Sequence, residues 1–176
     1  MTITTPATKY VSLYDEEAIT EIKDFLISGN QTIAVAESVT AGHLQAAFST
    51  SINASHFFQG GITAYNIGQK CRHLLVEPTH ALACNCVSLT IAEQMANQIT
   101  NIFSSDWGIG ITGYASPVDG ITSDRLFAYF SISHAGQKIQ NGVIETKIKD
   151  SIEVQILYVN EVLKEMARTI RSHMHT

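Results

Sequence analysis

Thr32-Ile33-Ala34-Val35-Ala36-Glu37-Ser38-Val39-Thr40-Ala41-Gly42 is the stretch that decides the fold. Its first half is a short, nearly continuous apolar run. A strand with one wet face alternates apolar and polar residues, whereas a run apolar at both alternating sets is covered on both sides, as inside a parallel sheet flanked by helices. Its second half, Ser38 and Thr40, supplies hydroxyls suited to the start of a helix over about Ala41–Ser49. A buried strand running directly into a helix predicts an α/β fold.

The pattern extends in both directions. Upstream, Ala18, Ile19, Ile22, Phe25 and Leu26 recur at three- and four-residue steps, which predicts a helix over about Asp15–Ser28 closed by Gly29-Asn30. Downstream, Phe57–Tyr65 reads as a second strand, with Gly60-Gly61 marking a bulge or a close backbone approach. A short helix over Gln69–Leu75 follows, then a longer one over Ser88–Phe103. Trp107–Thr112 reads as another buried strand, ending in a loop over Gly113–Ser123. Leu126–Ser133 and Lys138–Thr146 form a hairpin around His134-Ala135-Gly136-Gln137, and a last helix covers about Ser151–Arg171. Alternating strands and helices, followed by two adjacent strands and a helix, predict a three-layer α/β/α sandwich with a mixed, mostly parallel central sheet. No linker or internal repeat divides the 176 residues, so a single domain over 1–176 is expected, with its core at about 15–170.

Composition narrows the function. Net charge is −5, and no basic stripe of the kind that tracks a phosphate backbone is present, so a nucleic-acid partner is not expected. No apolar run approaches the roughly 20 residues that cross a bilayer, so no membrane partner is expected. Met1-Thr2-Ile3-Thr4-Thr5-Pro6-Ala7 lacks the charged and apolar regions of a secretory signal, which gives a cytoplasmic expectation. Charged residues are 15 %, against about 25 % in an average soluble domain. A surface that poor in charge predicts self-association, as a homo-oligomer of two or more copies. Cys71, Cys84 and Cys86 cannot all pair within one chain, and Cys84-Asn85-Cys86 is tighter than metal-ligand spacing. They read as buried or reduced thiols. Glu37, Glu93, Asp106, Asp119 and Asp124 do not combine with His or Cys at a ligand-like spacing, so neither a metal nor another cofactor is expected.

Ligands of open α/β sheets bind beyond the carboxyl ends of the strands. Two loops leave such ends. In Ala36–Gly42, a Ser38 hydroxyl at the strand-to-helix turn lies beside helix-terminal N–H groups that can hold an anion or a developing oxyanion. The same Ser38 and Thr40 hydroxyls can also simply cap the helix. The Thr112-Gly113 pair after the third strand can lie against a ribose or phosphate, or serve as an ordinary glycine turn. A serine nucleophile needs a base. None of the seven histidines stands in a nucleophile-elbow context, and His173 and His175 read as solvated tail. A desolvated lysine is the other option, and Lys70, just past the Gly60–Tyr65 strand, is the best placed.

These residues resemble the CinA C-terminal domain family, which includes the nicotinamide-nucleotide amidases. The family's Ala-Glu-Ser-Cys-Thr-Gly-Gly is similar to Ala36-Glu37-Ser38-Val39-Thr40-Ala41-Gly42, and its Gly-Gly-x-x-x-Tyr-x-x-x-x-Lys to Gly60-Gly61-Ile62-Thr63-Ala64-Tyr65-Asn66-Ile67-Gly68-Gln69-Lys70. Its Val-Ser helix start with Ala-x-x-Met-Ala resembles Val87-Ser88 and Ala92-Glu93-Gln94-Met95-Ala96. Its Thr-Gly-x-Ala-Gly-Pro loop resembles Thr112-Gly113-Tyr114-Ala115-Ser116-Pro117. The resemblance implies hydrolysis of the carboxamide of nicotinamide mononucleotide to nicotinate mononucleotide and ammonia. It implies Ser38 as nucleophile, Lys70 as general base and Tyr65 as an aid to proton transfer or amide positioning. Backbone N–H groups around Val39, Thr40, Ala41 and Gly42 would form the oxyanion hole. Glu37, Gly60, Gly61, Thr112 and Gly113 would join them on the substrate side, around a small nucleotide-like ligand.

The chain departs from the family at defined places. Val39 and Ala41 replace a Cys and a Gly, and Val118–Arg125 replaces a glycine-rich stretch with a Lys-Pro-x-Gly turn. Ser151 and Gln155 stand where two arginines are usual. Arginine is the usual fork for a phosphate, so Arg125 or Lys149 is expected to substitute if a phosphate is bound. A second function class therefore stays open: a catalytically degenerate paralogue that binds a nucleotide-like ligand or acts through self-association.

Overall fold

A computed structural model describes residues 12–173; Met1–Ala7 and His175, read above for a signal and a tail, lie outside the described residues. The chain begins with α1 (Glu16–Ser28), β1 (Ile33–Glu37) and α2 (His43–Ser49). A single 3-10 turn at Ala54–His56 leads into β2 (Phe58–Thr63). Then come α3 (Ile67–Leu74), α4 (Pro78–Ala83), α5 (Leu89–Phe103), β3 (Trp107–Gly113), β4 (Leu126–His134), β5 (Gln137–Thr146) and α6 (Ser151–His173).

The sheet order is β2-β1-β3-β4-β5. β1 pairs in parallel with both β2 and β3, while β4 runs antiparallel to β3 and to β5. The result is the expected mixed sheet in three layers, parallel around β1. All five residues of β1 are buried, as the apolar run required.

The two faces of the sheet differ in bulk, and the difference is written in alternate residues. Ile33, Val35, Ile109 and Ile111 point into the core shared with α1, α2 and α6. Ala34 and Ala36 belong to the other core, with α5 residues Ile91, Met95 and Ile99. On that side Gly110 has no side chain because α5 lies against it: a Cβ there would meet the Ala92 carbonyl oxygen at 2.2 Å. The thin face lets α5 seat deeply, and Ser133 Oγ donates to the Ala96 carbonyl at 2.9 Å across the same contact.

Helix ends follow local chemistry. Asp15 caps α1 through the Ala18 N–H, and Ser88 caps α5 through the Ile91 N–H. α4, which sequence patterning missed, begins at Pro78 after Glu77, whose carboxylate accepts from the Thr79 and His80 N–H groups. Its six residues are too few to show a helical period. The hairpin turn places Ala135 and Gly136 at positive φ, which matches the twist of the flanking strands.

His173 is exposed, as expected, but it is the last residue of α6 rather than a loose tail. Its ring stands edge-on to Trp107 and to His134, which itself stacks on the Trp107 indole with centroids 4.3 Å apart. The cause is the length of α6, which carries its last turn back over the start of β3. Among the described residues, no helix is long and apolar enough to cross a membrane.

Candidate active site

The strand order turns around β1: the chain leaves β1 for β2 on one side and returns to β3 on the other. The segments that leave the carboxyl ends of β1 and β3 border a cleft, as expected at such a switch point. Its volume is about 390 Å³. Ser38 and Val39 contribute from the end of β1, Gly113 to Ser116 from the end of β3, and Tyr65, Asn66, Ile67 and Lys70 from the entry and first turn of α3. Leu82 of α4, with Asn85 and Cys86 of the α4–α5 connection, closes the remaining side.

Ser38 is buried, and its hydroxyl has no hydrogen-bond partner among the described residues. Behind it, Glu37 is fully buried. Its Oε2 accepts from Thr40 Oγ1 at 2.6 Å, from Gly42 N at 3.2 Å and from Leu44 N at 3.0 Å, while Oε1 accepts from Gln45 N at 2.8 Å. A buried carboxylate is tolerable only when hydrogen-bonded and matched to positive potential, and the first turn of α2 supplies both.

That arrangement corrects two sequence readings. Glu37 faces the helix rather than a ligand, with its acceptors already occupied. The helix begins at His43 after Gly42, which makes no side-chain cap, so the capping expected of Ser38 and Thr40 is done by Glu37 instead. Thr40 is buried beneath it. Gly42 adopts φ +101, a conformation that glycine reaches without steric cost. Ala41 N donates to the Ser38 carbonyl and Gly42 N to Glu37. From Val39 to Gly42, only the N–H groups of Val39 and Thr40 are left without a partner among the described residues.

Lys70 is 2 % exposed, the fourth residue of α3. Its Nζ donates to Thr112 Oγ1 at 3.3 Å, and Thr112 in turn donates to the Cys86 carbonyl oxygen at 2.8 Å. Thr112 is thus a fully buried link between α3 and the α4–α5 connection. Among the described residues no Asp or Glu pairs with Lys70. Burial pushes its pKa below the ordinary 10.5, with the Cys86 and Cys84 thiols pulling weakly the other way. Burial likewise pushes the Cys86 thiol up, against the attraction of Lys70. All three cysteines are free.

Tyr65 lines the cleft mouth and is 75 % exposed. Gly113 lines the floor and lies against the next strand, where a Cβ would meet the Phe127 carbonyl at 2.4 Å. Gly60 and Gly61 are outside the cleft, contrary to the substrate-side expectation. They lie within β2, where Phe103 and the Val35 backbone fill the space that side chains would need. Arg125 and Lys149 are also outside it: Arg125 pairs with Glu145 at 2.8 Å, and Lys149 donates to the Asp124 carbonyl at 2.7 Å. Among the described residues no cluster of three His, Cys, Asp or Glu side chains is placed to hold a metal.

Sequence reasoning missed Asn85 and Tyr114. Asn85 Nδ2 donates to Tyr114 Oη at 3.0 Å, bridging the two walls of the cleft. Asn85 and Cys86 both have positive φ, of 50° and 61°. Consecutive non-glycine residues in that region store strain, which concentrates at functional sites. Only the αL tolerance of Asn85 was legible beforehand.

The family description "CinA C-terminal domain" matches residues 15–170. A CinA-like protein of Prochlorococcus marinus is 35 % identical over 155 residues, covering 86 % of this chain and 36 % of that protein. One from Picosynechococcus is 44 % identical over 96 residues, covering 54 % and 23 %. The chain thus spans about a third or less of the curated relatives it matches. In fold it superposes on a CinA superfamily protein from Enterobacter cloacae with a TM-score of 0.78, at 24 % identity, covering 96 % of this chain and 98 % of that one. Motif order, fold and profile agree over the same residues, and the chain belongs to the CinA C-terminal domain family.

Proposed function

We propose that the chain is a metal-independent amidohydrolase of the nicotinamide-nucleotide amidase type, in which Ser38 attacks a pyridine carboxamide and Lys70 handles the proton. The observation that carries this reading is the pairing, in one cleft, of an unpartnered serine hydroxyl with a buried lysine that has no carboxylate partner among the described residues. A lysine acts as a base only when neutral, and burial favours its neutral form.

Attack of Ser38 Oγ on the carboxamide carbon forms the C–O bond as the hydroxyl proton passes to Lys70 Nζ. The carbonyl oxygen becomes an oxyanion within reach of the Val39 and Thr40 N–H groups. Lys70 then returns its proton to the leaving nitrogen, the C–N bond breaks, and ammonia departs from an acyl-serine. Water, deprotonated by the same amine, attacks that ester and releases the carboxylic acid and the Ser38 hydroxyl. One serine and one lysine balance every proton in this sequence without an added reagent. The amine is held by Thr112 rather than by Ser38. Catalytic hydrogen bonds commonly tighten only once substrate is seated.

The test is ammonia release from nicotinamide mononucleotide and nicotinamide riboside, with Ser38→Ala and Lys70→Ala beside the unaltered protein. Release abolished in both folded variants supports the reading. The engagement of Lys70 by Thr112 favours one other reading, a non-catalytic binding protein. Binding without any release would establish that reading in place of hydrolysis.

A further inference from the structure

Hydrolysis at Ser38 concerns only one end of a ligand; the walls of the cleft bear on the other. Lys70 is the only Lys or Arg lining the cleft among the described residues, and it is buried on Thr112 at the reacting end. Arg72 stands exposed on α3, outside the lining. Arg125 and Lys149, the candidates to replace the family's arginines, are tied to Glu145 and to the Asp124 carbonyl. A phosphate dianion seated here would exchange its water shell for groups that offer no compensating charge, a costly desolvation.

What the cleft does offer suits a ligand that carries no phosphate. Tyr65 and Leu82 stand 75 % and 72 % exposed at the mouth, a flat ring and an apolar side chain poised to cover an aromatic face. Asn85 retains its carbonyl oxygen after donating to Tyr114, and Tyr114 retains its hydroxyl hydrogen after accepting. With the exposed Ser116 hydroxyl, these form a neutral set of donors and acceptors matched to sugar hydroxyls.

We infer that the cleft takes a phosphate-free pyridine carboxamide, its ring against Tyr65 and Leu82 and an uncharged polyol against Asn85, Tyr114 and Ser116. The inference rests on the hydrolytic reading for the reacting end only. Calorimetric titration of the full chain carrying Ser38→Ala, which prevents turnover, with nicotinamide riboside and with nicotinamide mononucleotide at low and high salt, tests it separately from catalysis. The riboside is expected to bind at least as tightly as the mononucleotide, with affinity flat across salt because no exposed ion pair is formed. Tighter binding of the mononucleotide overturns the inference, and so does a riboside that fails to bind. Ammonia release from the unaltered protein is read independently. Binding of the riboside without release removes the hydrolytic reading and leaves the inference standing, whereas release with a preference for the mononucleotide does the reverse.

Discussion

Lys70 Nζ lies 3.3 Å from Thr112 Oγ1, and the same hydroxyl passes its own hydrogen to the Cys86 carbonyl. Thr112 therefore fixes where the amine sits. Thr112→Val keeps the shape and removes the acceptor; kcat is expected to fall about tenfold with KM little changed, the scale of one hydrogen bond. Thr112→Ser should restore most of the loss. A rise in KM with kcat unchanged would instead make Thr112 a substrate contact, the alternative its sequence context left open.

The pH profile follows from the same lysine. Burial lowers its folded pKa below 10.5, and in the proposed mechanism the neutral amine is the active form. The rising limb of kcat/KM is therefore expected below 10.5. The sign for stability is the same: between the depressed folded value and 10.5 the unfolded chain binds more protons, so stability rises with pH across that window and is lost as pH falls through the folded value. Lys70→Met should abolish activity at every pH and flatten the stability slope, read by rate profiles and melting curves. A limb at an unperturbed lysine value would remove Lys70 as the base.

Glu37 predicts a separation of stability from substrate affinity. Glu37→Gln leaves one side-chain oxygen for four donors. The expected loss is roughly 2–4 kcal/mol, given the cost of stranding buried partners of a charged acceptor. In a chain of this length that is a melting temperature lower by roughly 5–15 °C. Unchanged melting with a raised KM would return Glu37 to the substrate side.

Gly110 tests the thin face of the sheet. Gly110→Ala drives a methyl into the Ala92 carbonyl and the Met95 side chain, and overpacking of this kind costs about 1–3 kcal/mol. Because α5 would have to lift, the α4–α5 wall of the cleft should loosen too. Chemical denaturation and riboside titration of the same variant would read both effects. Unchanged stability would mean that α5 shifts freely over β3.

The architecture was legible because periodicity carries it: the doubly apolar run at Ile33–Glu37 and the glycine-isoleucine alternation at Trp107–Ile111 each announce a strand covered on both faces. Motif spacing drew Ser38, Tyr65, Lys70 and Gly113 together, and all four line one cleft. What escaped is what depends on direction rather than spacing. A glutamate one residue before a serine reads like a ligand contact, and only the path of α2 turns it inward. Gly60 and Gly61 read like a backbone approach to substrate, and the approach is to Phe103 and Val35 instead. Asn85 and Tyr114, 29 residues apart, meet only because β3 returns beside β1.

The single tryptophan gives the molecule a built-in gauge. Trp107 is fully buried at the start of β3, and Gly113, at the other end of that strand, borders the cleft. Six residues of extended chain put roughly 20 Å between them. The indole touches His134 and the last turn of α6, not the ligand. Its emission will therefore register the seating of that helix, and the charging of the His134 imidazole stacked on it, while staying blind to what enters the cleft. Loss of fold and loss of binding can then be timed on one sample without one signal masquerading as the other.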